Sequence, residues 1–503
     1  MRGIYTSITQ IRRNIFTEIA RMAYEGGDYA RKIEELPYQI LPGEQAQYRE
    51  SIFLERAIVG ERLRLAMGLP VRTAAESAPL SKGIEESTRP ETYYQPPLVN
   101  IIKFACHACP EKQVIATQGC QGCLARSCSV VCPKDAIDFV DGKSMVNQDK
   151  CIRCGRCVEA CPYNAIIKQE RPCKAACGVQ AIRSDQYGRA DIDYDKCVSC
   201  GMCLVSCPFG AIADKSQIFQ LITAIKAGEH VYAAMAPAFV DQFGPKVSPE
   251  KLRSAMKKLG FTDVMEVAVG ADLCAAEEAE DFIKNVPERL PFMATSCCPA
   301  WSVMAKQQFP EYKDCVSMAL TPMVLTGRLI KMKHPTAKVA FIGPCAAKKL
   351  EAMRRSIRTD IDFVLTFEEM MGLFNAKDVD IENIEEEEFL NESSTDGRNF
   401  AISGGVAQAV VNCIHKMYPG TEVKVASAQG LAECKKMMTL AKAGKYNGYL
   451  LEGMACPGGC VAGAGSMQPI EKSTAAVRRY AQKADKQLCC ETDYLKDLER
   501  LEE

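Results

Sequence analysis

Glu452-Gly453-Met454-Ala455-Cys456-Pro457-Gly458-Gly459-Cys460 sets two thiols four residues apart with two glycines between them. Glycine lets the backbone turn and approach a bound object more closely than any residue with a side chain. Cys456 and Cys460 alone cannot complete a four-coordinate metal site. The natural partners are Cys297-Cys298 in Thr295-Ser296-Cys297-Cys298-Pro299-Ala300-Trp301, and Cys345 in Gly343-Pro344-Cys345-Ala346-Ala347-Lys348-Lys349. Three separated peptides, each with Cys beside Pro or Gly, read as three walls of one buried metal cofactor.

Outward from these walls, the chain alternates strands and helices from Ser216 onward. His230–Ala236 reads as a strand ending at Pro237, and Val339–Ile342 as another followed by Gly343. Further apolar strands are expected at Val364-Leu365 and Tyr449–Leu451. Such alternation implies parallel sheets under covering helices, with ligand sites beyond the carboxyl ends of strands. The Cys345 and Cys456 peptides both follow closely after such strands.

Upstream, residues 98–215 hold 16 of the 27 cysteines. Two runs, Cys151-x2-Cys154-x2-Cys157-x3-Cys161-Pro162 and Cys197-x2-Cys200-x2-Cys203-x3-Cys207-Pro208, match the bacterial two-cluster ferredoxin pattern. There the first three thiolates hold one [4Fe-4S] cluster and the fourth crosses to the other. The expected sets are therefore Cys151, Cys154, Cys157 with Cys207, and Cys197, Cys200, Cys203 with Cys161. A zinc ribbon is the competing reading of CxxC pairs, and two complete four-Cys runs ending in Cys-Pro disfavour it. Around these lie a variant run, Cys120-x2-Cys123-x4-Cys128-x3-Cys132-Pro133, and a fragment, Cys173-x3-Cys177, with Cys106-x2-Cys109 as its candidate head. These eight thiols suffice for two more cubanes, with Cys120, Cys123, Cys128 and Cys177 expected in one and Cys106, Cys109, Cys132 and Cys173 in the other. His107 is an alternative ligand to one thiolate.

The three C-terminal peptides resemble the signature peptides of [FeFe]-hydrogenases, in order and with several matching positions each, over residues 216–503. The resemblance implies that Cys298, Cys345, Cys456 and Cys460 bind a [4Fe-4S] cubane, with Cys460 bridging to a two-iron subcluster. That subcluster carries CO, cyanide and a dithiolate with a bridging amine, and dedicated maturases install it; together the two parts form the H-cluster. Lys348 would then donate to an iron-bound cyanide, a strong charge-assisted bond, and Met454 would wall the iron pair with a soft thioether. Ala236 and Pro237 resemble the strand end that lines the pocket. Cys297 would relay protons, its thiol suited by a pKa that can be brought near neutrality. The relay would continue through Glu278, Ser317 and Asp281; Glu278 and Asp281 stand three apart on a helical run and can share a face. The bland alternatives are a solvated face for the two carboxylates, a surface lysine, a core methionine and an inert buried thiol.

The chain also departs from the family pattern. Gly343 stands where Met is common, Met323 where Gln is common and Ala238 where Ser is common. Such changes around a cofactor tune affinity and potential without touching its ligands, and they resemble the less studied, ferredoxin-linked branch.

A length of 503 residues exceeds one core and implies several domains. Residues 1–66 are expected to be helical, with Ile11, Ile15, Ile19 and Met22 at helical spacing; residues 67–97 read as an extended linker. Residues 98–215 form the ferredoxin-like part and 216–503 the catalytic domain, its tail from Glu471 forming one or two charged helices. The fold class is thus α+β and multidomain: a helical segment, ferredoxin-like [4Fe-4S] domains, and an α/β domain with two parallel or mixed sheets flanking the H-cluster. A net charge of −1 argues for neither nucleic acid nor a membrane surface. No apolar run is long enough to span a membrane, and no signal peptide is read at the start. Clustered cysteines point to metal in a reducing, cytoplasmic setting. The expected enzyme interconverts H2 with protons and electrons, passing the electrons through about four further [4Fe-4S] clusters to or from ferredoxin or a similar carrier. A low-turnover H2 sensor of the same fold is the alternative, and an iron–sulfur scaffold a third reading. Cys274, Cys315, Cys413, Cys434, Cys489 and Cys490 have no ligand spacing and are read as packing or surface thiols.

Overall fold

The computed structural model describes residues 3–73, 75–89, 94–387 and 391–502. Two parallel sheets organise the C-terminal half. The first runs Asp263–Glu266, Val231–Met235, Lys338–Gly343, Phe363–Thr366 in spatial order. The second runs Met293–Ala294, Tyr449–Met454, Lys424–Gln429. Their central strands are buried on both faces, as the continuous apolar runs require. The four strands anticipated from the sequence are all present, extended by one to three residues at most ends.

The strand ends position the chemistry. Val231–Met235 leads into Ala236-Pro237, and Lys338–Gly343 into Pro344-Cys345. Met293–Ala294 leads into Cys297-Cys298, and Tyr449–Met454 into Cys456. Four parallel strands from two sheets therefore deliver their carboxyl-end loops to one place.

The N-terminal helices are part of this core. Helix Ser7–Glu25 starts at Thr6, whose hydroxyl accepts from the Thr9 amide, and buries Ile15, Ile19 and Met22. Phe16 packs so closely on Gly372 that a Cβ there would stand 2.6 Å from the Phe16 Cβ. Arg12 pairs with Glu368 on the same neighbouring helix, Phe367–Ala376. Residues 67–97 are no free tether, against the expectation of a linker. Leu69, Leu80, Ile84 and Tyr94 are buried, and the Tyr94 hydroxyl donates to Val364 O at 2.9 Å. Positions 74 and 90–93 of that stretch lie outside the described residues. At the other end, the expected tail helices are Ile470–Ala481 and Leu498–Glu502.

Between these parts lie two ferredoxin-like units, one nested in the other. The inner unit pairs Gln113–Ala116 with Ile166–Gln169 and Ile137–Val140 with Lys143–Val146, all antiparallel. The outer unit pairs Val99–Ile101 with Ile212–Asp214 and Ile182–Ser184 with Ala190–Ile192. The outer unit is thus interrupted after its first strand and resumes once the inner one is complete.

Candidate active site

The four strand-end loops enclose a cavity of about 80 Å³. Cys297, Cys298, Cys345, Cys456 and Cys460 all line it, with Ala236, Pro237, Met454 and Lys348. The rest of the lining is apolar, and Lys348 carries the one charged side chain among the described lining residues. Close backbone contact seals the walls. A Cβ at Gly463 would stand 2.3 Å from Pro344 O, and Gly459 (φ +91°) lies against the Ser403 amide. Side chains at either point would hold the peptides apart.

The donor set suits an iron–sulfur group. Burial pushes the Cys460 and Cys456 thiols well up, and neighbouring Cys345 and Cys298 add to it, so the four sulfurs face one another without a cation. Thiolates gathered in a dry cavity are the usual ligands of an iron–sulfur cluster, which supplies the missing positive charge. Among the described residues no three His, Cys, Asp or Glu groups stand close enough to share a single ion. A polynuclear cluster, bound one thiolate per iron, spreads its ligands more widely.

Lys348 is buried and bonded on two sides. Its ammonium donates to Glu351 Oε2 at 2.7 Å and reaches the Cys297 carbonyl at 3.4 Å. Burial works against its charge, but Glu351 outweighs burial and holds the ammonium above the ordinary lysine value. Thr321 in turn donates to Glu351 Oε1 at 2.7 Å. Sequence reading missed Glu351 and Thr321. The i,i+3 spacing of Lys348 and Glu351 is the signal that could have found the first.

On the other side of Cys297 stands Glu278, fully buried on helix Val267–Asn285. Burial raises its carboxyl from 4.5 to about 7, against hydrogen bonds from Ser296 and Ser317. The Ser296 amide donates to Oε1 at 2.8 Å and the Ser296 hydroxyl at 3.1 Å. Ser317 is carried there because its amide pairs with Ala294 O beside the second sheet. Asp281 is half-buried one turn on; burial raises its carboxyl, and its charge adds to the rise at Glu278. The four relay candidates are therefore neighbours, with Ser296 an unforeseen member. Cys297 differs from expectation in direction: burial and the adjacent Glu278 push its thiol up rather than toward neutrality. It is a proton-bearing group at rest.

The family departures have a steric basis. A Cβ at Gly343 would stand 2.7 Å from the Phe341 ring and 2.9 Å from Ala236 Cβ. Phe341 fills the place a larger residue would take, and it lines the cavity with Met323 and Ala238.

The expected pairing of the outer thiols is corrected in every set. Burial raises Cys157, and the neighbouring thiols are Cys151, Cys132 and Cys154. Cys128 has Cys123 and Cys161 beside it. Cys173 has Cys207, Cys106 and Cys109, and Cys203 has Cys200, Cys197 and Cys177. Each expected triple holds, but the fourth thiol crosses within a nested unit: Cys132 exchanges with Cys161, and Cys177 with Cys207. The cause is a repeated turn. Asp135, Asn164, Gln180 and Gly210, each three residues after one of these cysteines, take positive φ. In three cases the next amide donates back to sulfur: Ala136 to Cys132, Ala165 to Cys161, and Ala181 to Cys177, at 3.2–3.3 Å. His107 is exposed and stacks on Phe209, centroids 4.5 Å apart, while four thiols already surround that set.

One outer set touches the cavity. Cys200 lines it and stands beside Cys298 as well as Cys177 and Cys197. The thiol groups thus form a continuous series from the nested units to the strand-end loops.

Residues 229–464 match the family described as iron only hydrogenase large subunit, C-terminal domain. Residues 145–167 match a 4Fe-4S binding domain, and 167–218 the LdpA Fe-S cluster-binding domain. The chain is 29% identical over 433 residues to iron hydrogenase 1 of Clostridium pasteurianum, covering 73% of each protein. It is 26% identical to the NADP-reducing hydrogenase subunit HndD of Solidesulfovibrio fructosivorans, over 67% of this chain and 60% of that one. With the periplasmic [Fe] hydrogenase large subunit of Nitratidesulfovibrio vulgaris it shares 28% over 67% of this chain and 87% of that one. No helix among the described residues is long and apolar enough to cross a membrane.

Proposed function

Because the chain belongs to the iron-only, or [FeFe], hydrogenase family, we propose that it catalyses 2H⁺ + 2e⁻ ⇌ H2 at an H-cluster in the cavity between the two sheets. Cys298, Cys345, Cys456 and Cys460 would hold the group, which supplies the redox and hydrogen-activating chemistry. The chain supplies the rest. Lys348, kept charged by Glu351 and oriented through Thr321, offers an ammonium to an anionic ligand at the cavity wall. Met454, Phe341 and Met323 exclude water from the same space.

Protons are handled by side chains. Cys297 holds a proton at its sulfur on the cavity wall, and Glu278 takes or returns it behind, its carboxyl near 7 and so able to do either at neutral pH. Ser317 and Ser296 hold that carboxylate, and Asp281 carries the path toward solvent. Electrons travel through four [4Fe-4S] clusters on the corrected thiol sets and arrive through the one containing Cys200. A ferredoxin-like carrier in the cytoplasm is the proposed partner, and maturases the proposed source of the two-iron part.

The observation that carries this reading is the convergence of Cys297, Lys348 and four further thiols on one dry cavity. The test is infrared spectroscopy of the matured protein paired with an H2 assay. Carbonyl and cyanide bands with rapid turnover are expected. Bands with negligible turnover would favour an H2 sensor, and absence of bands after maturation would refute both.

A further inference from the structure

Away from the cavity, three thiols that the proposed reaction does not use meet at one point. Cys413 lies on helix Gly405–Met417, and Cys489 and Cys490 form the short turn Cys489–Glu491 of the tail. The sulfurs of Cys413 and Cys489 touch at 3.1 Å, both buried, while Cys490 is partly exposed. The tail is strapped here from one side: Thr395 and Asp396 amides donate to Lys486 and Gln487 carbonyls at 2.9 and 3.2 Å. The helix is anchored at its start, where Glu452 accepts from the Gly404 and Ala407 amides. Glu452 belongs to the strand that leads into Cys456. Cys413 and Cys489 pack in the same apolar cluster as Cys297 and Met454.

We propose that Cys413 and Cys489 are a redox-active dithiol that closes to a disulfide by exchange with a small-molecule disulfide, with Cys490 the thiol that meets the reagent. Packing already brings the two sulfurs together on separately anchored elements, so bond formation needs only a short local approach. Only Cys490 is open to solvent, and an attacking thiol must reach the reagent. The Cys489 thiol, as hydrogen-bond donor, lowers Cys413 from the ordinary thiol value and makes it the proton acceptor of the group. In the exchange, the Cys490 sulfur attacks RSSR, its proton passes to Cys413, and one RS⁻ leaves. Cys413 then displaces the second RS⁻ from Cys490. Cys489 next displaces Cys490 from Cys413, which restores the Cys490 thiol. The net change is RSSR plus two protein thiols to one protein disulfide plus two RSH, two electrons having passed to the reagent.

The experiment uses the iron-loaded full chain, held without oxygen in glutathione buffers of rising disulfide fraction, then alkylated and mapped by peptide mass spectrometry. Iron-bound cysteines are occupied as ligands and stay out of the exchange. The expected product joins the peptide carrying Cys413 to the one carrying Cys489 and Cys490, with Cys490 alkylated. Cys490→Ser should slow its formation about tenfold or more, since the reagent then has no accessible thiol. Cys413→Ala should leave glutathione on Cys490. Full alkylation of all three thiols in the unaltered protein, at ratios that oxidise a thioredoxin-type dithiol, would overturn the proposal. So would protection of the three thiols by a bound metal ion. Equal rates with and without Cys490 would overturn its assigned role.

Discussion

The cavity and the nested units both gather cysteines, but they do so in opposite ways. In the units, three thiols of each set fall within a short stretch, or within two short stretches for the set of Cys106, Cys109 and Cys173, so chain spacing alone brings them together. Around the cavity, sequence-distant peptides at Cys298, Cys345 and Cys456–Cys460 meet only because four parallel strands end side by side. The thiols also sit differently: Cys154 of the inner unit is exposed, whereas the cavity sulfurs face an enclosed apolar space. A local loop tolerates water around its cluster. A site built by tertiary convergence excludes water, which strengthens the electrostatic effect of Lys348 and Glu278.

The largest effect should come from breaking the cavity set. Cys345→Ala is expected to lower H2 turnover by about a thousandfold or more, because the group loses an anchor that nothing nearby replaces. Turnover within tenfold of normal would break the contrast, since a distributed site has no local substitute. Next comes the proton side: Cys297→Ala should cost about 10²–10⁴ in rate with the carbonyl and cyanide bands retained. Loss of those bands would mean the thiol supports the cofactor instead.

Glu278 sharpens the comparison through pH. Its carboxyl is raised by burial from 4.5 to about 7 in the folded chain. Between these values the folded state keeps a proton that the unfolded state has lost, so stability is fully present below 4.5 and falls as pH rises toward 7. The loss is about 3 kcal/mol. Denaturant melts from pH 4.5 to 7 should show that slope, and Glu278→Gln should flatten it while cutting the rate about a hundredfold. An unchanged slope would mean that the carboxyl is wetter than its burial implies.

Cys207→Ser tests the corrected pairing in the nested units. It should remove about four irons, those of the set with Cys106, Cys109 and Cys173, and leave the signals of the Cys151–Cys157 set intact. The reverse outcome would restore the crossing between the two complete runs. The smallest effect is expected at Asp281, where half-burial leaves water to substitute; Asp281→Asn should slow turnover by about a few-fold.

Some of this was legible in the chain because it depends on neighbours in sequence. Every ligand triple in the units could be read from spacing, and so could the four strands whose ends reach the cavity. The fourth thiols could not, because their partners are set by which antiparallel unit closes first. Yet a trace was present, since Cys132, Cys161, Cys177 and Cys207 are each followed four residues on by alanine. That Cys-x3-Ala repeat marks one turn used four times.

By itself the sequence determined the kinds of groups available and their local geometry: thiols at cluster spacing, glycines where peptides must touch, apolar strands before the Cys-Pro and Cys-Ala loops. Tertiary structure decided which of them meet. Glu351 beside Lys348, Ser296 on Glu278, Phe341 in place of a residue-343 side chain, and Cys413 against Cys489 all depend on packing between elements. Hydrophobic burial, which brings such elements together, is blind to order along the chain.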